Sequence, residues 1–168
     1  MSFGELLLRA TAWVSLLAWA ASEWMRGRGR IAASRAGARA AFTIGALSLV
    51  AHSALAFELR HGWSHAAALR DTARQTEAVL GRAFGGGLYV NYLMLAVWSI
   101  EALWWWLAPA SYRGRGRGLD WSVRAFFAFM FLNAAVVFAH GAMRLVGALA
   151  LLAVAWSWYR RPEGEIGE

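Results

Sequence analysis

The sequence predicts an all-α, polytopic transmembrane bundle of about five spans, with a short extramembrane helix between spans two and three. Three observations point to it. Hydrophobic residues make up 60% of 168 and charged residues only 16%, far from the balance of a water-soluble domain. The apolar residues come in blocks close to the roughly 20 residues that a helix needs to cross a bilayer. The positive charge is all arginine and falls between those blocks, as it does in the cytoplasmic loops of membrane proteins. One membrane domain over 1–168 is expected, because no polar stretch is long enough to bury a core of its own.

The first block, 6–25, carries Arg9 and Glu23 near its ends, where long side chains snorkel to the interface. "MSFGELLLRA" has no basic leader and no clear cleavage site, so this block is expected to be a retained span. The second span is 40–59. The third, 87–108, ends before Pro109. Residues 121–159 would extend roughly 58 Å as one helix, almost twice a bilayer. "AHGAMR" at 139–144 is the one plausible break, which divides this region into spans of 122–140 and 144–159. A single kinked helix lying partly in the interface is the competing reading.

Arginine placement sets the orientation. Arg26, Arg28, Arg30, Arg35 and Arg39 follow span one, Arg113, Arg115 and Arg117 follow span three, and Arg160 and Arg161 follow span five. With five spans, all three groups share one side. That side is expected to be the cytoplasm of a bacterial inner membrane, with the N-terminus outside and the C-terminus inside. Trp24, Trp104, Trp105, Trp106, Tyr112, Trp121, Trp158 and Tyr159 would form an aromatic belt there. The net charge of +7 thus has a topological explanation, and no nucleic acid is expected as a partner.

Residues 60–86 form the outward segment. "SHAAALRDTARQTEAVLG" reads as a helix of about four turns, capped by Ser64 and stopped by Gly81. "GGG" at 85–87 then leads flexibly into span three.

All four histidines fall in the outer half. If the second helix runs regularly through residue 65, Glu58, His61 and His65 share a face about 60° wide. Two imidazoles and a carboxylate are a familiar iron-binding set, and His140 could join from a neighbouring helix. Glu58, His61, His65 and His140 are therefore the candidate ligands for iron, copper or zinc. Gly62 weakens the assumption of continuity. The plainer reading makes "HGWSH" at 61–65 a pair of interfacial histidines, each ring with one wet edge.

Sharper assignments fail. A zincin needs H-E-x-x-H, and position 62 is glycine. Four histidines are too few for the several histidine boxes of membrane desaturases and hydroxylases. No Gly-x-Ser nucleophile turn or P-loop occurs, and the absence of cysteine removes sulfur ligands and thiolate chemistry. Haem held by His52 and His140 is disfavoured, since His52 lies about 10 Å below the outer end of its helix and His140 lies at the end of its own.

The intramembrane polar residues are His52 and Glu101, with Asn91, Asn133 and Ser48. Glu101 is a candidate for proton movement, although pairing with Arg124 near the same interface is favoured. Asn91 and Asn133 are expected to bridge helices.

"HGWSHAAALRDTARQT", followed by "GGGLYVNY" and a tryptophan-rich helix end, resembles an uncharacterised group of predicted bacterial multi-pass membrane proteins. The likeness covers roughly residues 50–106 and implies a membrane location, but it carries no catalytic residue. The leading functional expectation is a structural or accessory subunit that packs in the bilayer against other membrane proteins or its own copies. A metal-binding or redox protein with an outer histidine site is the alternative, and a small transporter is third.

Overall fold

The computed structural model describes residues 2–27 and 32–160; Arg28, Arg30 and Arg161, part of the arginine pattern, lie outside them. Among the described residues there are seven α-helices and no strand. Helix α1 is Phe3–Gly27, α2 is Ala32–Ala56, and a π-helical turn, Phe57–His61, continues α2. Helix α3 is His65–Leu80, α4 is Gly87–Leu107 and α5 is the short Pro109–Arg113. Helix α6, Arg117–Leu132, also runs into a π turn, Asn133–Val137, and α7 is Ala142–Tyr159. The two continuous segments Ser34–His61 and Arg117–Val137 are long and apolar enough to cross a membrane, and Met143–Tyr159 is a shorter apolar helix.

Helices α1 and α2 form the main hairpin. Ser22 Oγ donates to the Ala38 carbonyl at 2.8 Å, and both residues are fully buried, so small side chains let the backbones meet. Helix α4 then packs on α2. Its Trp98 lies over Gly45, where an added Cβ would sit 2.5 Å from the indole, and Trp98 Nε1 donates to the Phe42 carbonyl at 3.1 Å. Trp19, Phe42, Trp98, Phe127 and Phe131 complete the core with ring centroids 4.9 to 6.3 Å apart, the separations aromatic pairs prefer.

"AHGAMR" does break the last region. Gly141 has φ 61° and ψ −145°, a conformation essentially restricted to glycine. Arg144 folds back so that its Nε donates to the Ala139 carbonyl at 3.0 Å and a terminal nitrogen to Val137 at 3.5 Å. These bonds satisfy carbonyls that the end of a helix would otherwise leave open. Helix α7 then crosses the second π turn so closely that a Cβ on Gly147 would lie 2.5 Å from the Ala135 carbonyl oxygen.

The segment between α2 and α4 folds as its caps require. Ser64 Oγ accepts from the Ala67 amide at 3.2 Å, and Gly81 ends α3 in the left-handed conformation at φ 70°. Asn133 differs from expectation. Its side chain donates to the Phe129 carbonyl one turn back, at 2.8 Å, instead of reaching another helix, and that carbonyl also accepts the Asn133 backbone N–H.

Candidate functional site

Polar groups gather at two opposite ends of the bundle. At the end where α2 gives way to α3, the π turn takes an extra residue per hydrogen-bonded ring, so the 100° step fails beyond Ala56. Gly62 at φ 53° and Trp63 at φ 57° then turn the chain through two left-handed residues. The regular helical face expected to hold Glu58, His61 and His65 together is therefore absent.

Each of these residues has its own neighbour instead. The Glu58 carboxylate accepts from Trp63 Nε1 at 2.6 Å. The His61 ring meets Phe57 edge-on at 5.6 Å. His65 lies between two tyrosines, with Nδ1 3.0 Å from the Tyr92 hydroxyl and Nε2 3.5 Å from that of Tyr89. A neutral imidazole satisfies both by donating to one hydroxyl and accepting from the other. His140 is exposed in the turn before α7. Among the described residues, no three histidine or acidic side chains are grouped as metal ligands.

Trp63 is the one non-glycine residue at positive φ among those described. Holding it there costs about 1–3 kcal/mol. Lower in the same half of the bundle, His52 Nδ1 is 2.9 Å from the Leu8 carbonyl and 3.4 Å from Thr11 Oγ1, so this ring edge joins α2 to α1. A carbonyl can only accept, so that nitrogen carries the proton.

The opposite end of the bundle holds the larger constellation. Three carboxylates (Glu23, Glu101, Asp120) and three guanidinium groups (Arg26, Arg115, Arg124) interlock there. Arg26 bonds Glu23 at 2.9 Å and reaches Asp120 at 3.5 Å; Arg115 bonds both Glu101 and Asp120. Arg124 lies 2.8 Å from Asp120 and 3.3 Å from Glu23. Trp158 of α7 donates its Nε1–H to Glu23 at 2.8 Å. The network thus joins α1, α4, α6, α7 and the turn before α6, and its formal charge is zero.

Burial makes these contacts consequential. The Glu23, Arg115, Arg124 and Glu101 side chains are 1%, 3%, 4% and 6% exposed. Tyr112 stacks on Trp105 at 4.8 Å and 11°, and the Arg115 guanidinium lies 4.0 Å from the Tyr112 ring centroid. Burial pushes the Tyr112 hydroxyl above its ordinary pKa, by more than the nearby Arg26 and Arg115 charges bring it down.

Glu101 is thus paired, as expected, but with Arg115 and not with Arg124. The physical reason lies in the 113–117 loop. Arg113 and Arg117 are exposed, whereas the turn after α5 directs Arg115 inward beneath Tyr112. Sequence alone marks Arg115 as one more loop arginine. Asp120, five residues on, is the only local hint that a carboxylate waits for it. Comparison of the chain with protein-family models, with curated proteins and with solved structures finds no match.

Proposed function

We propose that this chain is a five-span bacterial inner-membrane protein that serves as a structural or accessory subunit, packing against other membrane proteins or its own copies. Its spans are α1, α2 with its π turn, α4, α6 with its π turn, and α7, with the N-terminus outside and the C-terminus in the cytoplasm. Helices α1 and α4 have 25 and 21 residues, long enough to cross. Asn91, Glu101 and the tryptophans at 98, 104, 105 and 106 lower the hydropathy of α4, and the indole rings suit a bilayer and its interface.

The observation that carries the functional reading is the closed inner network. A carrier working through Glu101 would need that carboxylate free to change partners as cargo or protons pass. Glu101 is bonded to Arg115 under a cover of aromatic rings, and the charges around it sum to zero. Meanwhile Leu93, Ile100 and Leu103 of α4, with Leu145, Leu149 and Leu152 of α7, point outward. The buried polar groups therefore fix the helices, and the apolar exterior is left for lipid and neighbouring proteins.

The test begins from the absence of cysteine, so single cysteines can be introduced without a background to remove. A membrane-impermeant maleimide added to intact cells should label Ala78→Cys and spare Ser111→Cys; the reverse pattern would overturn the orientation. In-cell crosslinking followed by native mass measurement should find the chain in a stoichiometric complex. A solitary monomer under the mildest extraction would overturn the subunit reading.

A further inference from the structure

We propose that the ends of α2 and α4 nearest the buried ionic network hold an anionic phospholipid, its phosphate on Arg35 and Arg39 and its acyl chains along the two helices. The inference rests on the membrane reading given above. The Arg39 guanidinium of α2 lies 3.8 Å from the ring centroid of Trp106, which is half exposed on α4. That indole is itself tied down, since its Nε1–H donates to Thr43 Oγ1 at 2.9 Å. Among the described residues, no carboxylate is paired with Arg39. A guanidinium held against a ring face keeps N–H donors along its edges for an acceptor.

An arginine that serves orientation alone needs only water around it. Arg39 is instead held against a tryptophan, the residue that settles at the headgroup level of a bilayer. Its charge is thereby fixed at the depth of lipid phosphates. Arg35 is exposed one turn away on the same face. Counted at 100° per residue from Arg39, Thr43, Leu47 and Val50 fall at about 40°, 80° and 20°, and Leu47 and Val50 are exposed. This strip runs about 16 Å from Arg39 to Val50, close to the hydrocarbon depth of one leaflet, about 15 Å. By the same count Ala96, Ser99 and Leu103 share a strip of α4 with Trp106, and Ala96 and Leu103 are exposed. The two helices are antiparallel, since Trp106 meets Thr43 at one end and Tyr92 stacks on Phe57 at the other. Both strips therefore lead away from the arginines into the bilayer.

The charge on this face indicates the headgroup. Helix α2 contains no acidic residue, and the one in α4, Glu101, is buried against Arg115. Two guanidinium groups a turn apart match a phosphate, which they bind through paired N–H donors. The ammonium of a zwitterionic headgroup would find no carboxylate here. A wholly apolar protein neighbour would cover the strips but leave Arg39 without a counter-charge.

The experiment is photocrosslinking of the full chain in nanodiscs. Phosphatidylglycerol and phosphatidylcholine carry the same diazirine-bearing acyl chain, and peptide mass spectrometry locates the adducts. Phosphatidylglycerol should label residues 43–50 and 96–106 about tenfold or more above phosphatidylcholine. Arg39→Gln should cut that preference about fivefold, while Arg39→Lys, which keeps the charge, should stay within about threefold of the parent. Labelling of α7 should respond to neither change. If Arg39→Gln does not fold, Arg35→Gln replaces it and should also cut the preference. Equal labelling by the two lipids, a preference indifferent to these changes, or no label on this face while α7 is labelled would each overturn the proposal. So would displacement of the lipid by inorganic phosphate but not by chloride at equal ionic strength. Labelling of α4 and α7 by both lipids alike removes only the specific site, whereas labelling of no helix by either lipid removes the membrane reading itself.

Discussion

Removing the Arg115 side chain should be among the most damaging single changes at the inner end of the bundle. Arg115→Met takes from Glu101, 6% exposed, its ion-pair partner. Asp120 keeps Arg26 at 3.5 Å and Arg124 at 2.8 Å, so the damage concentrates on Glu101. Breaking a buried pair from one side costs about 3–5 kcal/mol, because a desolvated charge is left behind. For a chain of this length that is roughly 6–20 °C of melting temperature. The loss should shrink to about 1 kcal/mol or less in Arg115→Met/Glu101→Gln, since exchanging both partners removes the orphaned charge. Thermal unfolding in nanodiscs, followed by circular dichroism, measures all three proteins. The companion pair is Arg124→Met with and without Glu101→Gln, where the second change should rescue nothing. If Glu101→Gln rescued Arg124→Met and not Arg115→Met, the assigned partner would be wrong. If Arg115→Met alone cost under about 1 kcal/mol, the pair would be behaving as a surface pair and not a buried one.

Three further outcomes follow from local geometry. Gly147→Ala puts a Cβ within 2.6 Å of both the carbonyl oxygen and the Cβ of Ala135, so α7 must move away from the second π turn at a cost of about 1–3 kcal/mol; an unchanged melting temperature would contradict that crossing. Ser64→Ala removes the bond to the Ala67 amide and should destabilise the start of α3 by about 0.5–2 kcal/mol, read as faster hydrogen exchange at Ala67 and Ala68. Tyr112 has a folded pKa above its ordinary 10.0 because it is buried, so its contribution is fully present below about pH 10 and disappears as pH rises through the folded value. Tyr112→Phe should match the parent near neutral pH and lose less stability than the parent above about pH 10; parallel alkaline melting curves would refute the burial of that hydroxyl.

Much of the helical layout was legible in the sequence because long apolar helices announce themselves by length. Expected spans of 6–25, 87–108 and 144–159 fall on helices Phe3–Gly27, Gly87–Leu107 and Ala142–Tyr159. Ser64, Gly81 and Gly141 act where they were expected to act because their roles depend on local backbone geometry. The two π turns left no such mark. Neither Phe57–His61 nor Asn133–Val137 contains glycine or proline, so nothing local signals a change of pitch. That change of pitch, with the turn at Gly62 that the sequence did flag, takes Glu58, His61 and His65 off one regular face. Partner choice within the inner network was equally hidden, because it depends on how the turn after α5 aims one arginine out of three.

The two uses of arginine at this end are physically compatible, and their division lets one pattern serve both the fold and the proposed orientation. Arg26, Arg115 and Arg124 are matched by Glu23, Glu101 and Asp120, so they add no net charge to the field at that surface. Arg113, Arg117 and Arg160 are exposed and outside that matching. Only an uncompensated set can bias a loop towards the cytoplasm, and only in a compensated set does mutual attraction offset the desolvation cost of burial. Reversing the charge of Arg113 or Arg117 should therefore disturb orientation while leaving the unfolding free energy within about 0.5 kcal/mol of the parent. Neutralising Arg115 should do the opposite. A chain in which both substitutions altered the same property would show that the inner end is one undivided basic surface, and the buried network would lose its role in holding α1, α4 and α6 together.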